Sequence, residues 1–168
     1  MRKALVVISV SGGLMVLALT IASWAQAPAP ADTRTASAPT YLPGLGDLMT
    51  MTVQPRHIKL AMAGREKNWA YAAYELHELE EAFDRAARAW PKWRSVPIAE
   101  LIASATKEPI AALAQAIKDS DGDRFAASYA HLTDTCNACH QAANRGVIVI
   151  RAPEASSFPD QDFQPTTQ

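Results

Sequence analysis

The chain has 168 residues, with 16 Lys and Arg against 17 Asp and Glu, and 49% of it is hydrophobic. That near-balance argues against a nucleic-acid surface, which needs a clustered basic face, and the length suits one domain with one core. With two cysteines, Cys136 and Cys139, the chain is not a disulfide-dense scaffold.

The first 27 residues read as a signal peptide rather than part of the fold. Arg2 and Lys3 begin a basic start, an apolar run extends from Ala4 to about Ile21, and Ala25-Gln26-Ala27 forms a small-x-small cleavage site. The competing expectation is a retained anchor, because the apolar run approaches the roughly 20 residues that span a bilayer. Cleavage leaves 14 basic against 17 acidic residues, no stable membrane span and a periplasmic location. Residues 28–43, rich in Ala, Pro, Thr and Ser, read as a flexible leader.

From Leu45 the chain reads helical. The first segment, about Leu45 to Ala63, places Leu45, Met49, Val53, His57 and Leu60 three and four residues apart, with Gly64 as a C-cap. Pro55 predicts a kink, or a helix that starts late. The second segment, about Glu66 to Trp90, puts Trp69, Ala73, Leu76, Phe83, Ala87 and Trp90 on one face. Glu75, Glu78, Glu81, Arg85 and Arg88 fall on a solvated face opposite, and Pro91 ends the segment. A third segment, about Pro97 to Lys118, is interrupted by Pro109, which predicts a division into two helices. Asp121-Gly122-Asp123 supplies a turn and an N-cap for the fourth, about Arg124 to Ala143, which Asn144-Arg145-Gly146 ends. Val147 to Ile150 is an isolated β-branched run, and the tail 147–168 reads as extended and poorly ordered. Four helices with short connections predict an all-α, antiparallel four-helix bundle over 44–146.

The cysteines stand in the string Cys136-Asn137-Ala138-Cys139-His140, the haem c attachment pattern. Helical positions i and i+3 share a face and i+4 lies beside them, so both thiols and the imidazole project together. The thiols then reach the vinyl groups of one porphyrin while His140 takes an axial position on its iron. A zinc site is a poorer reading, because it asks for four ligands and no further cysteine exists.

The string lies near the C-terminus, and no Met follows residue 140; the Met residues beyond the leader are Met49, Met51 and Met62. In this the chain resembles the class II c-type cytochromes, cytochrome c′ and its low-spin relatives, over roughly Leu45 to Ala143. The resemblance implies a four-helix bundle with CxxCH on its last helix and covalent haem c. It further implies a second axial position near the start of the first helix, filled by Met in electron-transfer members and by an apolar residue in gas-binding ones. Relatives of this class are often dimers through their first two helices. Pro55 and the long tail depart from the pattern. Gln54 to Leu60 and Asn68-Trp69 also resemble strings in exported bacterial cytochromes.

In an antiparallel bundle the end of the fourth helix sits beside the start of the first, which makes Met49 the preferred sixth ligand. Met51 is about 200° around the helix from it and faces away, and Met62 lies about 20 Å further along. His57 becomes the alternative if the helix begins near Pro55, and an empty sixth site remains open. Arg56 is a candidate partner for a haem propionate or for a glutamate. The expected function is one-electron transfer between redox partner proteins, not enzymatic catalysis. The alternative is a five-coordinate protein binding a diatomic gas such as nitric oxide.

Overall fold

The structure, a computed structural model, describes residues 41–166; the expected signal peptide and most of the leader lie outside these residues. Every regular element in the described residues is helical, and an isolated antiparallel bridge, Trp93 to Val96, is the only extended pairing among them.

The first rod forms in three continuous parts: α1 (Leu45–Leu48), a π-helical segment (Met49–Val53) and α2 (Gln54–Arg65). Met49 and Gln54 keep right-handed helical dihedrals at the two junctions, so the rod neither stops nor restarts at Pro55. Proline lacks an N–H, and its ring clashes with the carbonyl four residues back, here Met51. A wider turn immediately before it accommodates both defects, with Gln54 N–H bonding the Met49 carbonyl five residues back. The extra residue shows in the burial pattern. Leu48 and Val53, five apart, are both buried, after which His57, Leu60, Ala61 and Gly64 resume ordinary helical spacing.

Gly64 is not the C-cap that the sequence suggests. It lies inside α2, where an added Cβ would collide with the Phe125 ring. The cap is a Schellman motif one turn later: Lys67 takes a positive φ of 55°, Lys67 N–H bonds Gly64 O, and Asn68 N–H bonds Ala63 O at 2.9 Å. The same device recurs at Ser120 and at Asn144, each time without glycine.

Asn68 then starts α3 (Trp69–Ala89), its side chain accepting from Tyr71 N–H at 3.2 Å. This helix buries Ala72, Leu76, Leu79, Ala82, Phe83 and Ala86, and also Glu75, which the sequence places on a solvated face. Glu75 is 1% exposed because Arg56 reaches across from the first rod to pair with it. α4 (Ile98–Lys118) runs unbroken through Pro109, so the expected division there does not occur. α5 (Gly122–Ala142) begins at Asp121, whose side chain accepts from Arg124 N–H at 3.0 Å.

The core draws one fully buried leucine from each rod: Leu60, Leu79, Leu113 and Leu132. Its strength is hydrophobic burial, roughly 1.5–3 kcal/mol for each such side chain. No helix among the described residues is long and apolar enough to cross a membrane.

The tail after α5 has no regular secondary structure, as expected, but it is docked rather than loose. Asn137 bonds both backbone groups of Ile150, Arg65 donates to the carbonyls of Pro153 and Glu154, and Lys59 lies over the Phe158 ring. Further on, Asn68 donates to the carbonyls of Phe163 and Gln164, and Phe163 is buried against Tyr71.

Candidate functional site

Cys136, Cys139 and His140 occupy the last two turns of α5, where i, i+3, i+4 spacing turns them to one side. All three line a cavity of about 280 Å³ whose walls are mainly apolar. The first rod contributes Leu45, Met49, Val53 and His57 to it. Phe83 comes from α3, Ile98 and Ile102 from α4, and Ile148 and Ile150 from the tail. Sequence reasoning thus selected Met49 and His57 from the wall that does face the string. Met51 points outward at 74% exposure, and Met62 is buried away from the cavity.

Both cysteines are free thiols, half-buried. Burial pushes the Cys136 thiol up to about 12, the neighbouring Cys139 adding to the shift, and burial also raises Cys139. Each is therefore a protonated thiol at neutral pH, with its charged form disfavoured by the apolar wall. No group of three His, Cys, Asp or Glu side chains among the described residues is placed to hold a bare metal ion.

His140 is fixed by a contact the sequence does not reveal. Its Nδ1 lies 2.9 Å from the carbonyl of Ile148. A carbonyl can only accept, so Nδ1 carries a proton, and in the neutral ring the lone pair is the one on Nε2. Metal-bound histidines are ordinarily oriented this way, by a carbonyl on the other ring nitrogen. The backbone of His140 is held too, since Arg145 N–H closes the helix-capping bond onto its carbonyl at 2.6 Å.

His57 faces the same cavity but is occupied on both ring nitrogens. Nε2 is 3.0 Å from Thr133 Oγ1 and Nδ1 is 2.8 Å from the Tyr129 hydroxyl. Burial lowers its pKa to about 4, so the ring is neutral at pH 7. The Tyr129 hydroxyl is also 2.9 Å from the His57 carbonyl, and Thr133 O–H donates to the Tyr129 carbonyl at 3.0 Å. Ring, phenol and threonine thus form one buried network that engages both ring nitrogens. Tyr129 and Thr133 are invisible as partners in sequence because they lie more than seventy residues away on another helix.

Arg56 does not line the cavity. Its guanidinium pairs with Glu75 at 3.2 Å and Glu78 at 3.0 Å. Burial works against its charge and the two carboxylates outweigh that, raising its pKa. Of the two partners open to it from sequence, the glutamates hold it. The cation at the cavity is instead Arg145, whose Cζ lies 4.2 Å from the Trp93 ring centroid, with Arg94 at 4.7 Å from the same ring. Arg145 also donates to the Asn144 carbonyl at 2.8 Å. The sequence showed Arg145 only as part of the string that ends the helix; its place at the cavity and its stacking on Trp93 were not legible.

The residues present fit a covalently held haem. Two free thiols, an imidazole with its Nε2 lone pair available and a thioether line one apolar chamber with a guanidinium at its wall. Comparison with protein-family models, with curated proteins and with solved structures gives no match.

Proposed function

We propose that the chain is an exported monohaem c-type cytochrome that carries single electrons between redox proteins. The observation that supports this most is the shared cavity: Cys136, Cys139 and His140 on one wall, Met49 on the other, and apolar side chains between them. Bound there, haem c supplies an iron that gains and loses one electron. Cys136 and Cys139 would hold it as thioethers, and His140 Nε2 would be an iron ligand. Met49 would be the second in preference to His57, since both nitrogens of His57 are already bonded inside the chain. Arg145, which lines the cavity, would be the partner of a haem propionate in preference to Arg56, which is paired with Glu75 and Glu78. The mainly apolar walls would limit water at the group, which favours a small reorganisation on electron exchange.

An antiparallel four-helix bundle of the class II kind underlies this reading. Its support is the order of contacts between the first rod and α5. Met49 and His140 line one cavity, His57 bonds Thr133, and Gly64 packs on Phe125. As residue numbers rise along one rod, those of the other fall.

The test is an optical one. Protein produced with haem-attachment machinery gives a c-type pyridine haemochrome, and changing Cys136 and Cys139 to Ala abolishes covalent haem. In the ferric protein a sulfur-to-iron charge-transfer band is present and disappears in Met49→Ala. High-spin bands with ready carbon monoxide binding in the unaltered protein would instead make it a gas-binding member. A protein without thioether-bound haem refutes the reading.

A further inference from the structure

The segment that follows α5 is held by the attachment string itself. Asn137 stands in a variable position of that string, between the two cysteines. Its Oδ1 accepts from Ile150 N–H at 2.7 Å, and its Nδ2 donates to Ile150 O at 2.9 Å. Both backbone groups of one residue are thereby satisfied by one side chain, as a neighbouring strand would satisfy them. Three residues on, on the same face of the helix, His140 Nδ1–H donates to Ile148 O. Two positions of the segment, two residues apart, are thus pinned to two positions of the string.

The side chains of the segment follow from that pinning. Ile148 and Ile150 share the face that lines the cavity, while Val147 is 93% exposed and Val149 63%. Val147 stands in the turn that Ile148 N–H closes onto the Arg145 carbonyl, and from Ile148 to Ile150 the side chains alternate as in an extended chain. Downstream, Arg65, Lys59 and Asn68 hold the chain at Pro153, Phe158 and Phe163. The segment is anchored beyond the string as well as at it.

We propose that residues 147–150 form a strap whose Ile148 carbonyl sets the orientation and donor strength of His140 as an iron ligand, with Asn137 the positioning residue that holds the strap in register. The inference rests on the haem reading above and adds to it a role for residues that do not themselves bind the iron. A carbonyl accepting from Nδ1–H makes Nε2 the stronger donor, and a stronger axial donor favours oxidised iron. The strap therefore holds the reduction potential down. Asn137 acts at a distance: without its two bonds Ile150 is free, and the Ile148 carbonyl is no longer fixed over the imidazole.

The experiment uses the holoprotein and three variants, Asn137→Ala, Asn137→Asp and Ile150→Pro. The aspartate keeps the acceptor for Ile150 N–H and loses the donor; the proline removes that N–H and leaves Asn137 intact. Three properties are read in each: the reduction potential, the solvent exchange of the His140 Nδ1 proton by NMR, and the thermal midpoint. Asn137→Ala and Ile150→Pro are expected to raise the potential and speed exchange of that proton at least tenfold, with Asn137→Asp intermediate. A lowered thermal midpoint with potential and exchange both unchanged assigns Asn137 a purely structural role and overturns the inference. Should Asn137→Ala fail to accumulate, the same two outcomes are read from Ile150→Pro and Asn137→Asp. Absence of thioether-bound haem in the unaltered protein removes the haem reading and this inference together, whereas haem with an unmoved potential removes the inference alone.

Discussion

His57 shows how much a single buried side chain can make of pH. Folded, it protonates only near pH 4; its ordinary value is 6.5, and burial is the cause of the difference. Between those values the unfolded chain binds the extra proton and the folded chain does not, so stability is lost as pH falls through that window. The full loss is about 3 kcal/mol; above pH 6.5 nothing more is gained. Urea midpoints at pH 7 and pH 4.5 are expected to differ more for the native chain than for His57→Asn. Equal differences would show that the imidazole is not what titrates. At this scale the sequence was legible where chemistry needs a fixed local spacing, as in Cys136, Cys139 and His140. It was opaque where a partner comes from another element. Arg56 has two carboxylates from α3 as neighbours, and Asn137 looks like an arbitrary residue until the tail folds back on it.

Elements were read well in number and poorly in their joints. Each of the four expected helices is present with ends within a few residues, because apolar spacing reports the buried face directly. Both prolines were read as interruptions, and at both the rod continues. A π-helical turn precedes Pro55, and Pro109 is buried within α4; neither solution is visible in composition. Gly64 misled because glycine near a helix end ordinarily signals a cap, whereas here it makes room for another helix's ring. The crossing of α2 on α5 depends on that room. Phe125 is 4% exposed and has Trp69 at 5.9 Å and Tyr129 at 6.1 Å between ring centroids, so it cannot easily retreat. Gly64→Ala should therefore destabilise the chain by about 1–3 kcal/mol through overpacking, although alanine favours helix at an open site. Chemical denaturation measures this; a stabilised variant would mean that the ring shifts freely.

For the whole molecule, each rod places one fully buried leucine in the shared core. Replacing Leu113, fully buried, with Ala should cost about 2–5 kcal/mol. The same change at Leu42, 52% exposed, should cost under about 0.5 kcal/mol, and paired urea melts compare the two. The helical class and single core followed from periodicity and length, which are global properties of the chain. The docking of the tail did not, since nothing in Pro153 to Phe163 taken alone says what it lies against. Its path has a consequence in time. The tail residues that line the cavity with the thiols are synthesised after them, and the chain beyond is held by Lys59, Arg65 and Asn68 of the first half. On the haem reading, the porphyrin must be joined to a chain not yet closed. Docking of the tail is then, on that reading, a step that follows thioether formation.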